Sequence, residues 1–250
     1  MSGQDKATEQ QFYDELFRKR GRFDQFQNEI YEKVAREARN GTSGKLALDI
    51  GCGSGTQSIC LLQQGFKVLS ADLSFEAVKV TRETLEQSGK PLLVLNADVE
   101  YLTLPDQSVD ACICSLFLHH FENLDGVAKE LHRVMRPGGV VVATDANAHN
   151  PFSYLFFNVV HKMRTLPGVT ANQRAISSRE LREAFGRQGF GDFRFTSLTT
   201  ELKREWLGNS LSYTLNYYAR AILLKLTNLL LPPLSRGNLL LTVFRRLPES

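Results

Sequence analysis

The sequence predicts an α/β domain: a mostly parallel sheet with helices on both faces. Three observations predict it. Short apolar runs alternate with stretches of helical periodicity over residues 45–145, the pattern of strands joined by crossover helices. The first run, Leu46–Ile50, ends in a glycine-rich turn, Gly51-Cys-Gly-Ser-Gly55, that opens a helical stretch from Gln57 to Gln64. The second run, Phe66–Asp72, ends in an acid 21 residues after Gly51, which places Asp72 at the tip of the neighbouring parallel strand.

Each element follows from local chemistry. Residues 8–20 and 26–39 read as two helices separated by Gly21; Phe26, Ile30, Val34 and Ala38 repeat at helical spacing in the second. Leu46–Ile50 is apolar enough for a strand buried on both faces. Glycines belong where the backbone turns sharply and a ligand approaches with no Cβ in the way. Such a turn at the carboxyl end of a strand is a cradle for a polar cofactor, with the first amides of the next helix facing it. Asp72 is placed to accept the hydroxyls of a ribose. Ser74 caps a helix from Phe75 to Gln87, ended by Gly89 and Pro91.

Leu92–Leu95 is a third strand, Val109–Ser115 a fourth, and Leu116-Phe-Leu-His119-His120-Phe121 leaves the fourth at the carboxyl edge. A helix from Asn123 to Met135 ends in the turn Arg136-Pro-Gly-Gly139, and Val140–Ala143 is a fifth strand closing in Thr144-Asp145. Asn150-Pro151 opens a helix over 152–164 with Pro at its first position. Ser177-x-x-Glu180 is a capping box for a helix to about Gly189, and Gly191–Thr199 and Asn238–Arg246 are the last two strands.

Composition bounds the class. An apolar share of 42% and a charged share of 23% are those of a globular protein rather than a disordered one. The charged, polar first residues do not read as a signal peptide, and no stretch of 18 uncharged apolar residues suggests a spanning helix. Cys52, Cys60, Cys112 and Cys114 read as small buried hydrophobes of a reducing, cytoplasmic protein. Cys112-x-Cys114 lacks a third ligand partner, so no metal is expected. The net charge of +3 hides an asymmetry: residues 41–145 carry 8 basic and 13 acidic side chains, and residues 146–250 carry 14 and 6. A basic, apolar final segment points to an anionic substrate or a membrane surface.

Asp49, two residues before Gly51 in a Gly-x-Gly-x-Gly turn, makes this stretch resemble motif I of the class I S-adenosylmethionine (SAM) methyltransferases; in a dinucleotide fingerprint the third glycine comes one residue later. The Asp72 strand end, Ala97-Asp98, the Leu104-Pro…Ser108-Val-Asp110 approach to the fourth strand, Leu118-His-His-Phe121 and the Pro-Gly-Gly turn follow in the family's order over residues 45–145. The resemblance implies a Rossmann-like sheet of seven strands, mostly parallel with an antiparallel last strand, and SAM as cofactor. It implies one domain over 1–250: an N-terminal helical cap (1–44), a SAM-binding core (45–145) and a substrate-side half (146–250) with helical insertions at 146–176 and 200–237. It implies that Asp98 takes the adenine amino group and the backbone N–H of Val99 a ring nitrogen. Gly51, Cys52, Gly53 and Leu73 line the cofactor, Asp49 orients the glycine turn, and Ser115 and Leu116 border the methionine end. The N-terminal aromatics Phe12, Tyr13 and Phe17 then read as a cofactor lid or as simple core packing.

Methyl transfer from a sulfonium is an in-line displacement, so a base is useful only when the acceptor carries a proton. His119 is the first candidate base and His120 the second, from their place after the fourth strand. The insertion 200–237 departs from the family pattern: Leu211, Leu215, Tyr218, Ile222, Leu226 and Leu229 fall on one helical face, with Trp206, Tyr213 and Tyr217 nearby. It reads as a lid or as an interfacial helix that docks on a membrane. The function implied is methyl transfer, O- or C-, to a small apolar or lipid-like acceptor. The alternatives are a tRNA or RNA methyltransferase and a non-catalytic SAM-binding subunit. Nucleic acid is not the expected partner, because the basic residues are dispersed among aliphatics.

Overall fold

The computed structural model describes residues 6–21, 28–89, 93–160, 170, 172–200 and 229–248. Phe26, Leu92, the end of the 152–164 helix and most of the 200–237 insertion, Trp206 and its tyrosines included, lie outside the described residues.

Helices α1 (Lys6–Arg20) and α2 (Asn28–Gly41) precede the sheet. Then come β1 (Leu46–Ile50), α3 (Thr56–Gln63), β2 (Lys67–Asp72), α4 (Phe75–Glu86), β3 (Leu93–Asn96) and β4 (Val109–Ser115). A one-turn 3-10 helix, Leu118–His120, leads to α5 (Asp125–Val134) and β5 (Met135–Ala146). The chain continues through α6 (Pro151–Tyr154), α7 (Ser178–Gly186), β6 (Phe190–Leu198) and β7 (Leu239–Arg246). The seven strands lie in the order β3-β2-β1-β4-β5-β7-β6. The first five are parallel, and β7 runs antiparallel to both β5 and β6.

Period-2 alternation divides the core between the two faces. Ala47, Ala111, Ile113, Val140 and Val142 face α2, packing with Ile30, Val34 and Ala38. Leu48, Ile50, Cys112, Cys114 and Val141 face the opposite layer, where α5 and α7 contribute Val127, Leu131, Leu181 and Phe185. The Phe185, Phe190 and Phe244 rings close the far end of this layer, with centroids 4.7–5.5 Å apart. All four cysteines are buried and free.

Two segments differ from the sequence expectation. Arg136–Gly139 is a bulge inside β5 rather than a turn before it. Met135 pairs with Val109, the next pair is Val140 with Ala111, and Gly138 takes φ +78°. The helix after Asn150 is α-helical for one turn only and widens into a π-helix over Leu155–Val160, where Asn158 Oδ1 accepts from the Ala175 N–H at 2.8 Å. The N-cap half of the box at Ser177 is formed, its hydroxyl accepting from the Glu180 N–H at 3.2 Å, while the Glu180 carboxylate pairs with Arg174.

At the amino edge, Asp110 binds three strands together. Its carboxylate accepts from the Lys45 and Leu46 N–H groups at 2.9 Å each and pairs with Arg136 at 2.6 Å, which holds its pKa low despite partial burial. The carboxyl edge is the opposite case. There Ile50 pairs with Ala71 and Cys114, so the glycine turn, Asp72 and Ser115 converge on one point.

Candidate functional site

A cleft opens at that point. Its floor is the glycine turn, where Gly51 takes φ +66° and Gly53 φ +52°, conformations that L side chains rarely adopt. A Cβ on Gly51 would lie 2.4 Å from Phe117 Cδ2. The turn is fastened to β2: the Gly51 and Cys52 N–H groups donate to the Ala71 carbonyl, and the Gly53 N–H donates to Asp72 Oδ2 at 3.0 Å. Asp72 also accepts from the Ser74 N–H at 2.9 Å. The residue that orients the turn is thus Asp72. Asp49, expected to orient the turn, lines the cleft beside it and also accepts from Ser58 Oγ at 2.5 Å, which ties β1 to α3.

The cleft is lined by Asp49, Gly51, Cys52, Gly53, Asp72 and Leu73 from the first two strand ends. Asp98 and Val99 line it beyond β3, and Ser115 and Leu116 beyond β4. Leu116 holds φ +51°, fixed by its N–H bond to the Thr144 carbonyl at 2.7 Å, a strained residue at the wall of a cavity. Gln57 links three elements there: its Nε2 donates to the Tyr31 carbonyl at 3.1 Å and its Oε1 accepts from Ser115 Oγ at 3.1 Å.

The remaining wall is α1, which contributes Lys6, Glu9, Gln10, Tyr13 and Phe17. Lys6 pairs with Asp98 and, at 2.7 Å, with Glu100. Although burial opposes it, these two carboxylates hold the Lys6 pKa above its usual value. Asp14 accepts from Ser74 Oγ at 2.6 Å and from the Glu76 N–H at 3.1 Å, fixing α1 to the start of α4.

The two histidines part company. His119 does not line the cleft. It is buried, and its Nδ1 lies 2.8 Å from Asp145 Oδ1, behind the wall. Burial pushes the His119 pKa down and the Asp145 pKa up, disfavouring the charged form of each. His120 lines the cleft, with its ring 4.2 Å from that of His119. Sequence spacing alone could not order them, since neighbouring residues of a single 3-10 turn point in different directions. Lys6, Glu9, Tyr31 and Gln57 were not anticipated as lining residues; the only advance signal was the aromatic content of α1.

The cleft is acidic. Burial raises Asp49 to about 7 and also raises Asp72. Lys6 is the one Lys or Arg on its described lining, and it is already paired. No unpaired basic side chain of the described lining is left to meet a pyrophosphate. An adenosyl group with hydroxyls to donate and a cationic sulfonium suits both the carboxylates and the Cβ-free turn.

Residues 48–143 match the family described as Methyltransferase domain. The chain is 40% identical over 95 residues to a malonyl-[acyl-carrier protein] O-methyltransferase of Hamiltonella defensa, covering 38% of this chain and 35% of that protein. It is 33% identical over 122 residues to a ubiquinone biosynthesis O-methyltransferase of Pseudomonas aeruginosa, covering 48% and 52%. It spans about a third to a half of the length of these curated relatives. The YcgJ protein of Bacillus subtilis has the same fold, with a TM-score of 0.64 at 17% identity over 89% of this chain and 100% of that one.

Proposed function

We propose that the chain is a class I, SAM-dependent methyltransferase that transfers the methyl group of SAM to a small, apolar or lipid-like acceptor, a reading supported by the match of residues 48–143 to the methyltransferase-domain family. The observation that carries this reading is the carboxylate-lined cleft built on the glycine turn at the carboxyl edge. Bound there, SAM supplies an electrophilic methyl group. Asp72 accepts the ribose hydroxyls, and Asp98 and Val99 receive the adenine edge once Lys6 yields part of its hold on Asp98. Gly51, Cys52 and Gly53 admit the methionine portion, with Asp49, Leu73, Ser115 and Leu116 around it. Phe117, Phe121 and Phe17 shield the reaction from water. His120, rather than His119, is the base we assign, because it alone of the pair reaches the cleft.

The two curated relatives act on an acyl-carrier-bound malonyl group and in ubiquinone biosynthesis, which favours O-methylation of a non-nucleic-acid acceptor. Purified protein incubated with methyl-labelled SAM and a cell extract should place label in the organic phase. Label in RNA would overturn the acceptor class, and SAM binding without transfer to any fraction would leave a non-catalytic SAM-binding subunit.

An apolar acceptor also motivates a membrane-surface reading for the 200–237 segment. No helix among the described residues is long and apolar enough to cross a membrane. Leu229 and Leu230, at the end of the amphipathic stretch, are 76% and 73% exposed. The protein should float with vesicles containing anionic lipid, and Leu229→Glu with Leu230→Glu should release it. Protein left in the aqueous layer, or a double variant that floats equally well, would remove this reading.

A further inference from the structure

Glu9 and Tyr13 are four residues apart on α1, so they stand one turn apart on the same face. His120 sits between them. Its Nδ1 is 3.5 Å from Glu9 Oε2, and its Nε2 is 3.3 Å from the Tyr13 hydroxyl. Gln173 Nε2 donates to that hydroxyl at 3.1 Å, and Asn172 Nδ2 donates to Glu9 Oε1 at 3.3 Å. These bonds permit one direction of proton flow. The Tyr13 oxygen receives the Gln173 N–H, which leaves its own proton for Nε2; in that arrangement His120 carries its hydrogen on Nδ1, which faces Glu9 at 3.5 Å as a charge contact rather than a formed hydrogen bond.

The electrostatics agree with this direction. Glu9 and Tyr13 face His120 from α1, His119 lies beside it, and Asp145 and Asp72 act on it from β5 and β2. Burial, and then His119, hold His120 below its usual pKa, while Glu9 pulls it back up. Glu9 stays ionised: burial opposes it, but His120, Thr170 and Asn172 hold its pKa below the usual value. Burial pushes Tyr13 far up, so the phenol keeps its proton.

We propose that Tyr13, His120 and Glu9 form one proton-accepting unit for a neutral hydroxyl acceptor, an inference that rests on the methyltransferase reading. The acceptor O–H bond breaks and its proton passes to the Tyr13 oxygen as the Tyr13 proton moves to His120 Nε2. The O–CH3 bond forms while the S–CH3 bond breaks, the electron pair returns to sulfur, and His120 later releases its proton to water. Tyr13 and His120 are the catalytic residues; Glu9 is a positioning residue that fixes the imidazole and balances its positive charge. The same geometry selects the acceptor. A carboxylate has no proton to give and would face Glu9, while Lys6 is held by Asp98 and Glu100.

The test uses the full chain, methyl-labelled SAM and an organic extract of cells as the acceptor pool. The transferred label should resist mild alkali and be released by hydriodic acid, as an aryl or alkyl methyl ether. Glu9→Gln and Tyr13→Phe should each slow transfer about 10- to 100-fold, with the SAM dissociation constant within about twofold of wild type by calorimetry, as for residues that act on the acceptor. In Glu9→Gln the acid limb of the rate profile and the imidazole titration of His120 by NMR should both move to lower pH, because the carboxylate that raises the His120 pKa is gone. Alkali-labile label, identifying a methyl ester, or a Glu9→Gln protein with unchanged rate and unchanged titration, would overturn the proposal. A wild-type protein that binds SAM yet labels nothing overturns the methyltransferase reading, and the proposal with it; the NMR titration still reports whether Glu9 and His120 are coupled.

Discussion

Gly51→Ala loses SAM binding and destabilises the domain by about 2–5 kcal/mol, combining a left-handed backbone imposed on an L-residue with an overpacked contact. The backbone contribution comes from φ +66°. The steric one comes from Phe117 Cδ2, 2.4 Å from the added Cβ, on a ring that also packs against Phe121 at 5.1 Å. Relief requires moving Phe117, and with it the segment that carries His120. Gly65 is the control: its φ is +83°, but nothing lies within 4 Å of its Cβ, so Gly65→Ala should cost only the backbone part, roughly 1–2 kcal/mol. Urea unfolding of the two variants separates these contributions, and calorimetry with SAM shows whether only Gly51→Ala empties the cleft. Equal destabilisation of the two would mean that the Phe117 contact is easily relieved.

Asp72→Ala weakens SAM binding by about 1–3 kcal/mol, roughly 5- to 150-fold, as expected for a charged hydrogen-bond partner. The side chain has two tasks that this variant removes together: meeting the ribose, and clamping the turn through the Gly53 N–H. Asp72→Asn separates them, since the amide oxygen can still accept from Gly53 while the charge is lost. SAM should raise the thermal midpoint of wild type and leave that of Asp72→Ala nearly unmoved. An undiminished SAM-induced shift would show that the ribose lies elsewhere. The pH dependence has a definite sign. Burial raises the Asp72 pKa, so the side chain's contribution to stability is fullest below the unfolded value and declines as pH rises through the folded one. Without ligand, the variant should therefore compare less poorly with wild type at alkaline than at acidic pH.

The half of the cleft expected to hold the cofactor was legible because each of its residues sits at the carboxyl end of a strand. Asp72, Asp98 and Ser115 need only the strand order to be brought together, and the alternation of apolar runs and helices supplies that order. The other half depends on how α1 docks, and no local pattern encodes docking. Tyr13 and His120 are 107 positions apart and Tyr13 and Gln173 160, so their contact exists only in the folded chain. Asp49 shows a related gap. Motif spacing places it beside the glycines on the cleft lining, but its bond to Ser58 on α3 depends on how that helix packs on the strand. The start of α6 was readable from Asn150-Pro151, whereas its widening into a π-helix answers to Asn158 meeting Ala175 across 17 residues.

The attachment of α1 has a consequence for how the cleft behaves in different media. Of its fifteen residues only Glu9 and Phe17 are buried, so little apolar surface holds the helix down. Its ties are polar: Lys6 to Asp98 and Glu100, Glu9 to His120 and Asn172, Tyr13 to His120 and Gln173, Asp14 to the start of α4, and Arg18 to Glu76. Of these ties only the Arg18–Glu76 pair has an exposed member, and such a pair weakens as the Debye length shrinks from about 10 Å at 0.1 M salt to about 3 Å at 1 M, whereas the part-buried ones are screened much less. Ionic strength thus acts on the far end of α1 and spares the cleft: concentrated salt loosens Arg18 from Glu76 and leaves Lys6, the glycine turn and Asp72 in register.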